Sequence, residues 1–293
     1  MQRAPHPSLA RFVKSVWLSA PRASRAIQPV AREHMMPTGE MHLVFRLSGP
    51  AICIFDGTAD SAGRQMGHAV VGGARAGYYA KDVSTPSQAI GVQLLSGAAQ
   101  ALLGLPADEL AGQHVRLEDI WGGSAGLMRE QLLAAPSPGA KLRTFEMLLR
   151  QRLGSDQARA TNPAVALALQ QFKTGSSVDE AVAHSGYSHR QFIRLFSQAA
   201  GLTPKLYCRV QRFQKALGLM RRAGLQRALS LAEVAMDAGY SDQPHFNREF
   251  REFSGLTPEQ YRLAQTVWAN HVPVPARQGP YVKFVQDQRE ADR

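Results

Sequence analysis

Cysteine is nearly absent from this chain, and its scarcity limits the kinds of site that the protein can hold. The 293 residues include two cysteines, Cys53 and Cys208, which stand far apart and form no CxxC pair. A disulfide framework and a cysteine zinc site are therefore disfavoured, and the pattern is typical of a reducing compartment. We interpret both cysteines as packing residues.

Long apolar runs are also lacking. No segment approaches the roughly 18 uninterrupted apolar residues of a membrane-spanning helix. Residues 1–14 are interrupted by Pro5, Pro7 and charged side chains, which is unlike a signal peptide. The sequence therefore predicts a cytoplasmic protein with no membrane partner.

Motifs of common enzyme chemistry are missing as well. The chain contains no GxSxG nucleophile elbow, no GxGxxG fingerprint and no P-loop. His34, Glu40, His42 and His68 are of types that bind metals, but their spacing fits no zinc signature. The sequence therefore predicts no enzyme activity, no cofactor and no metal.

Acidic residues are absent from one long segment, residues 181–232, although the whole chain is strongly basic with a net charge of +11. A run of charge usually forms a solvated face. This run has no compensating anion, so it better fits a surface that faces phosphates. The segment carries nine basic side chains: Arg190, Arg194, Lys205, Arg209, Arg212, Lys215, Arg221, Arg222 and Arg227.

The N-terminal half mixes short apolar runs with glycine, proline and serine, which predicts strands separated by turns. Helices are predicted to follow these strands, including an amphipathic helix with Leu142, Phe145, Leu149 and Leu153 on one face. The fold class is therefore α+β, a β-rich domain followed by an all-α domain. The predicted strands are 41–47, 51–57, 69–80 and 89–95.

From Asn162 onward the pattern changes to successive helices. Asn162 and Pro163 form a helix start, with an N-cap side chain before a proline at the first helical position. We expect a sensor or dimerisation domain at 1–155, a linker at 156–161, a helical domain at 162–264 and a tail at 265–293. The tail contains Pro273, Pro275 and Pro280 and is expected to be irregular.

The C-terminal half contains an internal repeat of about 25 residues. Residues 185–209 read "SGYSHRQFIRLFSQAAGLTPKLYCR" and residues 238–262 read "AGYSDQPHFNREFREFSGLTPEQYR". Each copy predicts a helix, a glycine turn and a second helix, at about 177–199 and 230–253. Pro204 to Ala223 forms one long helix between them.

The second helix of each unit has a packing side and a free side. Phe192 and Phe196 in the first copy, and Phe246 and Phe250 in the second, fall on the packing side. Ser188 and Gln191 form a capping-box pair before the first of these helices.

A helix-turn-helix presents its second helix to the DNA major groove, where residues near its N-terminus read base edges. A single such helix pair is a common packing motif, but two pairs joined by one helix are hard to explain by packing alone. The residues suitably placed to read bases are Arg190, Arg194, Gln243, His245, Asn247 and Arg248.

Both copies, in particular "GYSDQPHFNREFREFSGLTPEQYR", resemble the DNA-binding domain of AraC/XylS-type transcription regulators. The resemblance covers about residues 162–264 and implies an all-helical bundle whose two units enter successive major-groove segments. It implies base contacts mainly from Arg190, Ile193 and Arg194, where Ile193 either meets a thymine methyl or packs inward. The candidates for phosphate contact are Ser188, Ser197, Lys205, Arg209, Ser241 and Arg251.

The N-terminal half, with "MMPTGEMHLVFRL", "VVGGARAGYYA" and "AIGVQLLSGAAQALLGLPADELAGQHVRLEDIWG", resembles an uncharacterised N-terminal domain of a subgroup of these regulators. That resemblance implies a domain that senses a small-molecule effector or mediates homodimerisation. The expected partners are double-stranded promoter or operator DNA, an effector, a second copy of the chain and, for an activator, RNA polymerase.

Two other readings stay open on the sequence alone. In one, the N-terminal domain is an enzyme or a small-molecule binder, and the helical domain is an accessory. In the other, the chain binds nucleic acid without sequence preference. Because Asp242, Glu249 and Glu252 occur only in the second copy, we expect the first copy to carry more of the affinity and specificity.

Overall fold

The chain folds into a β-rich N-terminal part followed by a helical C-terminal part, which confirms the α+β class. In this computed structural model the described residues are 1–19, 30–57, 60–153, 161–226, 229–264, 266 and 270–275. Three sequence predictions fall wholly or partly outside these residues: most of the linker 156–161, the basic residue Arg227 of the acid-free segment, and the end of the tail 265–293.

Two antiparallel sheets form the N-terminal part. The strands of the described residues are β1 (Gln2–Arg3), β2 (Val13–Leu18), β3 (Val30–Met35), β4 (His42–Ser48), β5 (Cys53–Phe55), β6 (Arg64–Gln65), β7 (Ala69–Gly72), β8 (Tyr79–Asp82), β9 (Gln88–Leu94), β10 (His114–Arg116) and β11 (His271–Pro275). The first sheet has the order β1-β2-β9-β4-β7-β10, and the second has the order β11-β3-β8-β5-β6.

The apolar run 69–80, expected as one strand, is two strands in different sheets. β7 belongs to the first sheet and β8 to the second, and residues 73–78 join them. We call residues 73–78 the connector loop. Glycines at 72, 73 and 77 lower the strand propensity of the run, so the chain leaves one sheet there and enters the other.

The predicted irregular tail instead returns to the N-terminal part as β11. Its backbone pairs with β3 in the register His271↔Met35, and Val272 is fully buried. Pro273 and Pro275 argued against a strand, but β11 lies at the edge of its sheet, where a missing N–H is tolerated. The second sheet is therefore completed by residues that follow the helical part in sequence.

The helices of the described residues divide between the two parts. They are α1 (Ala98–Leu103), α2 (Leu117–Trp121), α3 (Gly123–Ala134), α4 (Pro138–Leu153), α5 (Pro163–Thr174), α6 (Val178–Ser185), α7 (His189–Ala200), α8 (Pro204–Gln226), α9 (Leu231–Ala238), α10 (Gln243–Ser254) and α11 (Pro258–Ala264). On the first sheet, α4 packs through an edge-to-face contact of Phe145 with Phe45, whose ring centroids are 5.7 Å apart.

Helix caps form largely as the sequence predicts. The Asn162 side chain accepts a hydrogen bond from Ala164 N–H, and the Ser188 side chain accepts one from Gln191 N–H. Reciprocal capping boxes occur one helix earlier in each unit, at Ser177 with Glu180 and at Ser230 with Glu233. Each unit is thus stabilised locally by side chains that the repeat supplies.

The two parts share one buried apolar cluster and meet at equivalent positions of the repeat. Gly97 N–H donates to the Ala199 carbonyl near the end of α7, at 2.7 Å. Tyr78 N–H donates to the Phe253 carbonyl near the end of α10, at 2.9 Å. Carbonyls in the last turn of a helix have no partner within the helix, so the N-terminal part satisfies one of them in each copy.

Two glycines, Gly201 and Gly255, cap the same helix ends in left-handed conformations with φ of 78° and 70°. A Cβ on Gly201 would lie 2.9 Å from the Cβ of Ala74, and one on Gly255 would lie 2.5 Å from the ring of Tyr78. The Gly-Leu-Thr-Pro repeat therefore serves two purposes at once, because glycine ends each helix and also admits the connector loop.

Gly255→Ala is expected to destabilise the protein more than Gly186→Ala does. Both glycines have positive φ, but a Cβ on Gly186 meets nothing within 4 Å. We expect left-handed strain of about 1–2 kcal/mol in both variants and about 1–3 kcal/mol more from overpacking against Tyr78. Denaturant unfolding of the full chain measures the difference, and equal losses would contradict the close contact between the two parts.

A polar cluster lies inside the N-terminal part. His42, Tyr79 and His114 pack together, with ring centroids of Tyr79 and His114 4.3 Å apart and those of His42 and His114 5.6 Å apart. Burial lowers the pKa of His42 to about 4 and that of His114 to about 2. These histidines are therefore neutral in the folded protein.

His34 is a third buried histidine, and it joins the two parts. Its ring contacts that of Tyr78 at a centroid distance of 4.5 Å. Burial lowers the pKa of His34 to about 4, although a hydrogen bond with the backbone of Ser254 opposes the shift. His34 therefore resists protonation while it holds the end of α10 against β3.

The free energy of unfolding is expected to fall as the pH is lowered below about 6.5, the ordinary pKa of histidine. His34 and His42 have folded pKa values below that of the unfolded chain, so the unfolded state takes up their protons first. Each group accounts for a loss of about 2 kcal/mol by about pH 5. Denaturant titrations at several pH values measure this fall in wild type, in His42→Gln and in the exposed control His189→Gln. If the fall in His42→Gln were as large as in wild type, the assignment to His42 would be contradicted.

Candidate nucleic-acid interface

Two helix-turn-helix units lie in the C-terminal part, formed by α6 with α7 and by α9 with α10. Gly186 and Gly239 provide the left-handed turns between the helices, with φ of 72° and 95°. The second helices α7 and α10 each span twelve residues and are the recognition helices of these units. With their N-caps, the two units run from Ser177 to Ala200 and from Ser230 to Ser254.

The first recognition helix divides into a packed face and an open face. Phe192 and Phe196 are fully buried, whereas Arg190 and Arg194 are exposed. Ile193 and Ser197 are half-buried between these faces. Of the three sequence-predicted base readers of the first copy, Arg190 and Arg194 therefore lie on accessible surface, whereas Ile193 is half-buried.

The second recognition helix has the same division. Phe246, Phe250 and Phe253 are buried, and the exposed candidates are Asn247, Arg248 and Arg251. Gln243, the first residue of the helix, is half-buried. Aromatic packing thus orients both helices, since these side chains bury large areas on one side only.

Ser241 and His245 are engaged with neighbouring groups at the start of α10. The Ser241 hydroxyl donates to Asp242 at 3.1 Å and lies 3.0 Å from His245 Nδ1. Asp242 caps the helix by accepting from His245 N–H at 2.6 Å, and this backbone hydrogen bond lowers the pKa of Asp242. These residues organise the helix start, which is the part of a recognition helix that generally faces base edges.

A buried carboxylate ties α8 to α10. Glu249 Oε2 accepts from Arg209 Nε at 2.7 Å, and its Oε1 lies 3.5 Å from Arg212 Nε. Arg209 also donates to Glu252 at 2.6 Å. Burial lowers the pKa of Arg209, but the hydrogen bonds with Glu249 and Glu252 outweigh it, so this pKa lies above its ordinary value. The cluster therefore joins the long helix to the second recognition helix.

This cluster changes how the acid-free segment is understood. Arg209 and Arg212 are paired with acids of the second copy. A phosphate would therefore compete with Glu249 and Glu252 for Arg209, whose phosphate contact stays a prediction. Sequence reasoning missed the pairing because 40 residues separate Arg209 from Glu249. The basic residues of the segment that stay exposed within the described residues are Arg190, Arg194, Lys205, Lys215, Arg221 and Arg222.

The four discounted metal-ligand candidates are not brought together. Glu40 pairs with Lys14 at 3.0 Å, His34 contacts Tyr78, and His42 packs in the interior cluster. Among the residues that the structure describes, no three His, Cys, Asp or Glu side chains are grouped closely enough to hold a metal ion. No described helix is long and apolar enough to span a membrane.

Glu249→Gln is expected to destabilise the fold by about 3 kcal/mol, because it leaves two half-buried arginines without their buried anion. Glu252→Gln is the matched control, since Glu252 bonds the same arginine but is 56% exposed. We expect a loss of less than about 1 kcal/mol for the control. Denaturant unfolding gives both values, and similar values would contradict a structural role for the buried carboxylate.

Two family models match separate parts of the chain. Residues 181–264 match the family described as a helix-turn-helix domain. Residues 1–116 match a family described as a domain of unknown function, DUF6597. The first match covers both units described above, from within α6 to the end of α11.

Similar curated proteins are transcription regulators. The transcriptional regulator ArgR of Pseudomonas aeruginosa is 32% identical over 114 residues, which cover 39% of this chain and 33% of ArgR. The regulator GbdR of the same species is 29% identical over 130 residues, which cover 44% of this chain and 34% of GbdR. The chain thus spans about a third of the length of these relatives.

A similar solved structure is ToxT from Vibrio cholerae, with a TM-score of 0.44 and 9% identity over 85% of this chain and 98% of ToxT. The family models and the curated relatives agree with the repeated sequence and the paired units. The chain carries a C-terminal helix-turn-helix domain of the AraC type together with an N-terminal domain of the DUF6597 family.

Proposed function

We propose that this chain is a sequence-specific DNA-binding transcription regulator. The observation that carries the proposal is the pair of recognition helices α7 and α10, each anchored by buried phenylalanines and each presenting exposed basic side chains. Exposed arginines at the start of a recognition helix suit guanine edges and phosphates. Binding is the chemistry of this surface, and no catalytic step is assigned to it.

The division of labour between the copies follows from their charges. In the first copy the flanking cations are unpaired in the described structure, with Arg190, Arg194 and Lys205 exposed. The second copy adds Glu249 and Glu252, which engage Arg209 of α8 and place negative charge on the same helix as the exposed Arg248 and Arg251. The first unit therefore carries more of the affinity and specificity, and the second unit fixes the register on the duplex.

The N-terminal part is proposed to modulate this binding. It contacts the ends of both recognition helices, which places it where a change in its own structure alters their relative position. In this proposal residues 1–155 sense an effector or mediate homodimerisation, 156–161 link, 162–264 bind DNA, and 265–293 form the tail. An activator of this kind also contacts RNA polymerase.

Arg194→Ala is expected to weaken binding to the cognate site by about 1–3 kcal/mol, which is about 5-fold to 150-fold. The loss should be much smaller on a scrambled fragment, because a base contact contributes only where its base is present. Mobility-shift titration against the intergenic fragment upstream of the gene and against its scramble measures both. Arg150→Ala, an exposed arginine on α4, is the matched control.

Lys205→Ala supplies the contrast for a phosphate contact. It should weaken both fragments to a similar degree and reduce the slope of log Kd against log salt by about one. Equal affinity of the wild type for the two fragments would contradict sequence-specific regulation and favour a non-specific nucleic-acid binder. A change of base preference in Lys205→Ala would contradict its assignment to phosphate.

A further inference from the structure

A groove lies where the connector loop meets both parts of the molecule. It has a volume of about 420 Å³ and is lined by Arg75, Ala76, Gly77, Tyr78, Ala111, Gly112, Leu202 and Leu206. The first six belong to the N-terminal part, and the two leucines follow the first recognition helix. The volume is within the range of small-molecule sites, and most of the lining is apolar.

Arg75 is the charged side chain of this lining, and it is incompletely satisfied. Its Nη2 donates to the Gly112 carbonyl, and its guanidinium lies 4.9 Å from the centre of the Tyr79 ring. Its Nη1 is buried and has no hydrogen-bond acceptor in the described structure. No ion pair of Arg75 with a carboxylate occurs among the described residues, so this half-buried cation has no carboxylate bonded to it there.

A second unsatisfied group lies behind Arg75. His114 is 3% exposed, and neither of its ring nitrogens has a hydrogen-bond partner among the described residues. Its ring contacts Tyr79, the same ring that Arg75 covers. Buried polar groups are normally paired, so these two neighbouring exceptions mark a region with unused hydrogen-bonding capacity, including a free donor on Arg75.

The connector loop that carries Arg75 also contacts both copies of the repeat. Ala74, on one side of Arg75, is the neighbour of Gly201 at the end of α7. Tyr78, on the other side, packs on Gly255 and donates its N–H to Phe253 at the end of α10. A shift of Arg75 therefore displaces contacts with both recognition helices at once.

We propose that this groove binds a small organic carboxylate, whose anionic group pairs with Arg75 and whose apolar body lies along Leu202 and Leu206. A single guanidinium suits the charge and the planar shape of one carboxylate. Occupancy changes the position of the connector loop and hence the relative placement of α7 and α10. The effect on DNA rests on the proposed function, whereas binding in the groove does not.

Calorimetric titration of the full chain tests the site. The probes are sodium octanoate and sodium benzoate, with 1-octanol and benzyl alcohol as neutral analogues of the same shape. We expect at least one carboxylate to bind wild type and the exposed-residue control Arg11→Gln equally, and at least about 10-fold more weakly to Arg75→Gln. On wild type, the matching alcohol should bind at least about 10-fold more weakly than its carboxylate does.

Two further variants protect the test from a folding artefact. Arg75→Lys keeps the charge and should retain part of the affinity. Gly77→Val adds a side chain to the groove lining at a position where a Cβ meets no described atom within 4 Å, so it narrows the groove and leaves the Arg75 side chain in place. We expect Gly77→Val to weaken carboxylate binding while its thermal midpoint stays near that of wild type.

Three results would overturn the site. They are equal carboxylate affinity in Arg75→Gln and wild type, alcohols that bind as well as the acids, and no carboxylate binding to wild type at millimolar concentration.

The coupling between the groove and DNA binding is tested separately by mobility shift with and without the bound carboxylate. An unchanged DNA affinity would refute the coupling, and we expect a change of about 5-fold or more. If wild type bound no DNA at all, the proposed function would fail, and the calorimetry would still show whether the groove binds a carboxylate.

Discussion

The two backbone hydrogen bonds from Gly97 and Tyr78 to the ends of α7 and α10 are the constraint on which the arrangement of the molecule depends. Each satisfies a carbonyl that its own helix leaves unpaired, and each acceptor lies two residues before the glycine of a Gly-Leu-Thr-Pro copy. The repeat thus encodes two equivalent docking points as well as two helix-turn-helix units. Because one body holds both helix ends, neither helix can shift freely with respect to the other.

Docking at the C-terminal ends of these helices also decides what stays accessible. The N-terminal halves of α7 and α10 carry Arg190, Asn247 and Arg248 on open surface, away from the carbonyls that the N-terminal part engages. In the proposed function, regulation and base reading therefore use opposite ends of the same helices. A change at one end of a rigid helix is carried to the other end because the buried phenylalanines leave the helix little freedom to bend.

Charge is distributed in the folded chain differently from its distribution in the sequence. Glu249 is buried between Arg209 and Arg212, and Glu252 bonds Arg209 from the surface. The acids of the second copy thus neutralise cations of the acid-free segment, and the cations of that segment that stay exposed lie on α7 and α8. Arg75 is the opposite case, since it lies in the interface between the two parts without a carboxylate partner among the described residues.

The sequence by itself determined the elements whose causes are local. Asn162 with Pro163, Ser188 with Gln191, and the glycine turns act within a few residues, so the helical units and their packing faces were predictable. The tertiary structure alone decided the pairing of Arg209 with Glu249, the strand at His271–Pro275, and the division of 69–80 between two sheets. These depend on partners about 40 to more than 200 residues away, and hydrophobic periodicity holds no information about which distant group a side chain or a strand edge will meet.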